Sequence, residues 1–324
     1  MKAGKIYFAP LEGITDTIFR NTFDRYYGSV DKYFTPFLSP NETRKFTSRE
    51  WNHIDPEKND VTRTVPQLLT KKADHFLWAC QQIVPLGYRE INLNLGCPSG
   101  TVVAKKKGSG LLYYPEELDA FLYAIFDGRE KTGQGFDISI KTRLGKNDPD
   151  EFYEILDIYN KYPISQLTIH PRVQTDFYKG PVREEYFSYA LEHTDIPIIY
   201  NGELKKVEDI NKCLTRYPQI DTVMIGRGLL SDPELALKAK KFKAVEESFD
   251  YNRFWKFHND LLEQYRQALS GDTPLLHRMK EFWVYWESLF PEKEKEIKKI
   301  RKSKRLEEYR AAVNGIQLEV KTND

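Results

Sequence analysis

Cys97 stands in the run Asn94-Leu95-Gly96-Cys97-Pro98, directly after a short apolar segment. The chain then passes through Gly100, Lys105-Lys106-Lys107, Gly108 and Gly110. An ordinary thiol has a pKa of about 8.5, so it keeps its proton at neutral pH and can act as a general acid without special tuning. On a glycine-rich loop it is expected to ride on a flexible lid. Lys141 lies in the apolar run before Leu144 and is expected to point into the mouth of a sheet. An ammonium there is costly unless it meets a negative charge or an electron-rich ring. His170-Pro171-Arg172, Asn201-Gly202 and Gly226-Arg227-Gly228 each close a further apolar run. The two glycine turns suit a phosphate, because glycine lets backbone N–H groups approach an anion and Arg227 adds a charged fork. Taken singly, these features also read as tight turns and a solvated lysine. Cys80 and Cys213 sit in helical patterns and read as core.

These residues need a frame that brings distant segments together. Short apolar runs at Ile6–Ala9, Tyr33–Phe37, Val65–Leu69, Glu90–Leu95, Asp137–Thr142, Gln166–His170, Ile196–Tyr200 and Asp221–Ile225 read as eight strands. Helical stretches such as Pro115–Phe126, Pro149–Tyr159 and Pro233–Lys243 separate them, which implies parallel pairing through crossovers. Eight such units in about 240 residues match an α/β (β/α)8 TIM barrel, with a doubly wound sheet as the alternative. The polar residues above fall just past the strand ends, on the face where barrel sites form. Beyond Tyr251 no strand is expected. Segments 251–269, 274–290 and 293–313 read as helices, with Trp255, Phe282, Trp283, Tyr285, Trp286, Leu289 and Phe290 on their apolar faces. The expected division is a barrel over 1–245 and an all-α helical bundle over 246–324.

Composition limits the function. The 324 residues carry 49 Lys+Arg against 48 Asp+Glu, and 40% are apolar. A net charge of +1 excludes a broadly basic nucleic-acid binder but allows a local basic patch. One such patch is Lys293–Arg305, with eight basic and two acidic residues. On a helix, Lys298, Arg301, Lys302 and Arg305 would share a face and read as a phosphate-contacting stripe or as a solvated face. No run is long enough for a membrane span, and the N-terminus lacks the apolar core of a signal peptide. The expected location is therefore cytoplasmic. Three cysteines at no metal-like spacing argue for neither a disulfide framework nor a metal site.

The segment Phe8-Ala9-Pro10-Leu11-Glu12-Gly13-Ile14-Thr15-Asp16 resembles the opening signature of the tRNA-dihydrouridine synthases. Asn92–Pro98 is similar to their catalytic-cysteine motif. Lys141–Gly145, His170 through Gly180, Asn201-Gly202 and Met224–Gly228 follow in the family's order. The resemblance spans roughly residues 6–230. It implies an FMN-dependent barrel that uses NADPH to reduce a tRNA uridine to 5,6-dihydrouridine. Carried over by position, Cys97 would protonate C5 while hydride arrives at C6. Pro10, Leu11, Glu12 and Gln67 would line the isoalloxazine, with Lys141 and His170 on the flavin or the flipped uracil. Asn201, Gly202, Gly226 and Arg227 would hold the phosphate. Asn94 would bind the uracil edge, Arg172 and Tyr178 would touch the nucleotide, and the C-terminal region with Lys298, Arg301, Lys302 and Arg305 would grip tRNA. A monomer with no membrane partner is expected. Leu11-Glu12 departs from the family's usual Met and small residue, and Pro171 replaces a usual glycine and stiffens that loop.

An FMN barrel acting on a free pyrimidine, like dihydroorotate dehydrogenase, is the nearest rival, because it too places a cysteine after strand four. A non-catalytic RNA-binding barrel and a sugar-phosphate barrel are further alternatives. Neither the tRNA position nor a preference between NADPH and NADH is legible from these residues.

Overall fold

A computed structural model describes residues 4–133, 135–241 and 248–321. Its strands are β1 (Lys5–Phe8), β2 (Lys32–Phe34), β3 (Thr64–Val65), β4 (Gln67–Leu68), β5 (Glu90–Leu95), β6 (Asp137–Arg143), β7 (Leu167–His170), β8 (Ile198–Tyr200) and β9 (Thr222–Ile225). Every pairing is parallel, in the order β3-β2-β1-β9-β8-β7-β6-β5-β4. The two ends of this sheet, β3 and β4, are separated in the chain by Pro66 alone, so the sheet curls into a barrel. Seven of the eight expected strands appear with edges shifted by up to three residues. The remaining one, Val65–Leu69, is split because Pro66 has no N–H for the ladder. Its carbonyl instead accepts from Asn92 N at 2.8 Å.

The barrel interior has two halves. Tyr7, Ala9, Phe34, Val65, Ile199 and Met224 form an apolar cluster. Against it, β4 to β7 turn inward a polar set that includes Gln67, Asn92, Asn94, Ser139, Lys141 and His170. The alternation of β5 explains this. Ile91, Leu93 and Leu95 join the main core, leaving Asn92 and Asn94 on the other face.

Helices Tyr251–Ala268, Asp272–Trp286, Glu294–Lys302 and Leu306–Lys321 follow the barrel. The expected boundary at 245 lies outside the described residues. Trp255, Phe282, Trp283, Trp286 and Phe290 are buried among these helices as their spacing predicts. Trp283 Nε1 and His258 Nε2 both meet the Tyr309 hydroxyl, at 2.8 and 2.7 Å. This helical region packs on barrel helix Thr17–Tyr26. Phe19 stacks on Phe282 at 5.1 Å, and the Tyr265 hydroxyl donates to Asp16, the residue capping that helix. The expected single helix over 293–313 is instead two. Ser303 turns extended (ψ 137°) and its hydroxyl donates back to the Ile300 carbonyl, ending the first helix at Lys302. No helix among the described residues is long and apolar enough to cross a membrane.

Candidate active site

The carboxyl ends of the strands surround one cavity of about 450 Å³, within the usual range for small-molecule and cofactor sites. Its wall takes Pro10, Leu11 and Glu12 from the turn after β1, Gln67 from β4, Asn94 and Cys97 from the end of β5, and Lys141 from β6. His170 and Tyr178 come from β7 and its loop, and Asn201, Gly202, Gly226 and Arg227 from the turns after β8 and β9. Thus thirteen of the expected residues converge, from seven separate segments.

Cys97 is half-buried and sits on a turn held by its own strand. Asn94 Oδ1 accepts from Gly96 N at 3.0 Å and from Cys97 N at 2.9 Å. Ser109 Oγ donates to the Cys97 carbonyl at 2.7 Å. Gly108 takes a left-handed φ of +56°, and a Cβ there would come within 3.0 Å of Cys97 Cβ. The loop is therefore packed, with Gly108, Ser109 and Gly110 buried, and is not the flexible lid its glycines suggest. Burial pushes the thiol up, against smaller opposing pulls from the Ser99 N–H and Arg143. Cys97 therefore carries its proton at neutral pH.

Lys141 faces the cavity with no hydrogen-bond or ion-pair partner among the described residues. Burial, then the Arg143 charge, lowers it to about 7. An unpartnered ammonium in this wall calls for an electron-rich ligand. His170 is held well below its usual range by burial, then by Arg143, Lys141, Arg172 and Arg227. Its Nε2 lies 3.1 Å from Arg172 Nη1. A guanidinium only donates, so Nε2 is the bare nitrogen and Nδ1 carries the proton. His170 also stacks near Tyr178, ring centroids 6.1 Å apart.

Arg172 differs from expectation. Arg172 N donates to the His170 carbonyl at 2.7 Å across Pro171, and this tight turn folds the side chain behind His170. The guanidinium is buried on Gly180 O, His170 and Glu203, and does not line the cavity. There it backs the imidazole from outside the cavity wall. Asn94 also differs in part: its oxygen is committed to the Cys97 turn, leaving one amide N–H for a ligand.

At the opposite wall, Asn201 Nδ2 donates to Met224 O at 2.7 Å and ties the end of β8 to β9. Gly228 permits a close approach: a Cβ there would lie 2.1 Å from the Leu204 carbonyl oxygen. Arg227 is held by Glu203 and lies over the Tyr178 ring, 4.9 Å from its centroid. Glu203 also binds Arg172 at 3.0 Å and Lys205 at 2.8 Å. Burial alone would raise this carboxyl, but those cations outweigh it and hold it low.

Phe37, Ser99, Arg143, Phe177, Glu203 and Tyr285 also line the wall, and none of them was expected at the cavity. Arg143 donates to Gly96 O, Val173 O and Phe177 O, and so joins the Cys97 turn to the His170 loop. The period-two pattern Ser139, Lys141, Arg143 was its available signal. Tyr285, from helix Asp272–Trp286, had none, because its place depends on how the helices dock.

The C-terminal stripe is only half realised. Arg301 pairs with Glu287, and Arg305 lies beyond the helix break and pairs with Glu308 at 3.1 Å. Lys298 and Lys302 line an open groove with Lys295, Lys299 and Ser303, away from the first cavity. Near Cys97, Lys106 pairs with Glu117, and Lys107 donates to Ser39 Oγ at 3.2 Å.

The family model described as dihydrouridine synthase (Dus) matches residues 7–320. A tRNA-dihydrouridine(16) synthase of Pseudomonas putida is 30% identical over 302 residues, covering 89% of this chain and 90% of that protein. One from Vibrio parahaemolyticus is 27% identical over 307 residues, covering 92% and 91%. Among solved structures, morphinone reductase superposes with a TM-score of 0.52 at 10% identity, covering 77% of this chain and 88% of that one. At that identity the likeness concerns the barrel fold alone.

Proposed function

The chain belongs to the dihydrouridine synthase family, and we propose that it is a flavin-dependent oxidoreductase that reduces the C5–C6 bond of a tRNA uridine to 5,6-dihydrouridine. The observation that carries this reading is the meeting of Cys97, Lys141 and His170 at one cavity. The cavity fits flavin mononucleotide: its volume is suitable, and it has an ammonium without a partner on one wall and a glycine-arginine turn on another. Pro10, Leu11, Glu12 and Gln67 would lie along the ring system. Lys141 and His170 Nδ1–H would donate to its polar edge. Asn201, Gly202, Gly226 and Arg227 would hold the phosphate. When bound and reduced by NADPH, the flavin supplies hydride for C6.

The chain's own part is to place the base and deliver a proton. Cys97 Sγ gives its proton to C5, which its raised pKa keeps available. Asn94 has one N–H for the uracil, and Tyr178, half exposed at the rim, offers a ring face. Taking a base out of folded RNA costs a few kcal/mol, which contacts remote from the reaction must offset. The barrel over 1–245 would do the chemistry, and the helices over 246–324 would bind tRNA, with Lys298 and Lys302 on its phosphates. One chain supplies every group named, so a monomer suffices. The relatives' names point to position 16 as the target.

Cys97→Ala is expected to keep bound flavin and NADPH oxidation but to lose dihydrouridine formation. Loss of flavin in that variant would mark Cys97 as structural. Mass spectrometry of tRNA from cells lacking the protein should show dihydrouridine missing at position 16. Reduction of free orotate with none of tRNA would favour the free-pyrimidine reading.

A further inference from the structure

Phe177 is a large apolar side chain at the rim of the cavity, and it is 49% exposed. Among the described residues its ring meets no other ring and no cation, and it does not pack against the hydrophobic core. Its neighbour Tyr178 is also half exposed but is held to the wall. That ring lies near His170, with the Arg143 and Arg227 guanidinium carbons 5.3 and 4.9 Å from its centroid.

The backbone makes the placing of Phe177 costly. Its φ is +50° and its ψ is −105°. An L side chain takes a left-handed φ only with strain, and this ψ lies outside even the small left-handed helical region. Glycine would hold the same turn without that cost. The strain persists because the loop is pinned on both sides. Phe177 N donates to the Gln174 carbonyl at 3.1 Å, and the Phe177 carbonyl accepts from Arg143 Nη2 at 2.7 Å. Asp176 accepts from Val173 N at 3.0 Å and pairs with Arg183. Arg143 Nε also donates to the Gly96 carbonyl at 2.9 Å, so one guanidinium spans from the Phe177 backbone to the Cys97 turn.

An unpacked ring on strained, anchored backbone at this mouth has a physical use. A uridine that leaves its stack exposes one face of each base beside it. A flat apolar ring that enters the gap restores the lost contact and opposes return of the uridine. We propose that Phe177 is such a wedge: when RNA is bound, its ring stacks on a base that flanks the target uridine. Every base has a π face, so the wedge favours flipping and leaves the choice of sequence to other contacts. This inference rests on the tRNA reading of the cavity and adds to it a group that holds the strand open.

The test uses Phe177→Gly and Phe177→Tyr in the full chain with two transcripts of a substrate tRNA. One transcript is unaltered, and the other has abasic nucleotides on both sides of the target uridine. Filter binding gives the tRNA dissociation constants, and fluorescence titration gives that of FMN. Phe177→Gly should bind the unaltered transcript about fivefold to a hundredfold more weakly, the contribution of one base–aromatic stack. Phe177→Tyr keeps a stacking ring and should match wild type. On the abasic transcript all three proteins should bind alike, because no flanking base is left to stack on. A ring that acted only through loop structure would give the same loss on both RNAs. FMN affinity should be unchanged in both variants, and the urea midpoint of Phe177→Gly should not fall, because glycine relieves the backbone. Unchanged tRNA binding in Phe177→Gly, an equal loss on both transcripts, weaker FMN binding or a lower midpoint overturns the proposal. Wild-type protein that binds FMN but no tRNA would overturn the functional reading instead.

Discussion

Lys141 offers a pH-dependent handle on the cavity. Its ammonium has no partner there and is lowered to about 7, by burial first and then by Arg143. Below that pH the ligand-free protein holds the charge; above it, the charge is lost. If the flavin edge accepts from the ammonium, binding favours the protonated form and draws in a proton. Affinity is then highest below about pH 7 and falls as pH rises. Between pH 6 and pH 8 the charged fraction drops about tenfold, which sets the expected loss of affinity. The His170 ring stays neutral and the Cys97 thiol protonated across this window, so neither competes. Riboflavin isolates the effect, because it lacks the phosphate group, whose second pKa is about 6. The assay is a fluorescence titration of riboflavin at pH 6, 7 and 8 in wild type and in Lys141→Met. Wild type should lose about tenfold in affinity over the range, and the variant should bind weakly with a flat profile. An equal slope in both proteins would refute the reasoning.

Charge reversal at Lys298 and Lys302 should weaken tRNA binding and reduce the steepness of its log–log salt dependence by about 1.5, read by filter binding at several salt concentrations. Reversal at Arg301 and Arg305, already paired, should change the slope less. Gly228→Ala drives a Cβ against the Leu204 carbonyl and displaces the Gly226 turn, so FMN affinity should fall more than riboflavin affinity. Trp283→Ala removes a fully buried side chain and its bond to Tyr309. It should cost about 3–5 kcal/mol in denaturant unfolding.

Much of the barrel was legible because its signals are local. The run Glu90–Leu95 alternates within six residues, and its edges in the sequence match those in the structure. The turns carrying Cys97, Asn201 and Gly226 follow their strands immediately, so finding the strands places the turns on one rim. Val65–Leu69 was legible as a strand, but its split follows from Pro66. The lid expected after Cys97 failed for a different reason. Gly108 and Gly110 are there for close packing against Cys97 and Val103, and composition alone does not separate packing glycines from mobile ones.

Sequence by itself determined the parallel α/β architecture, the helical C-terminal region and the chemistry-bearing side chains at the strand ends. Each depends on periodicity or on a turn a few residues long. Tertiary structure decided which polar groups remain free to act. Arg172 and Arg227 look the same in the chain and both pair with Glu203, but only Arg227 lines the cavity, while Arg301 is paired with Glu287. It also decided that Tyr285 reaches the cavity. Partners brought together by folding are chosen by register and docking, and a one-residue window along the chain carries neither.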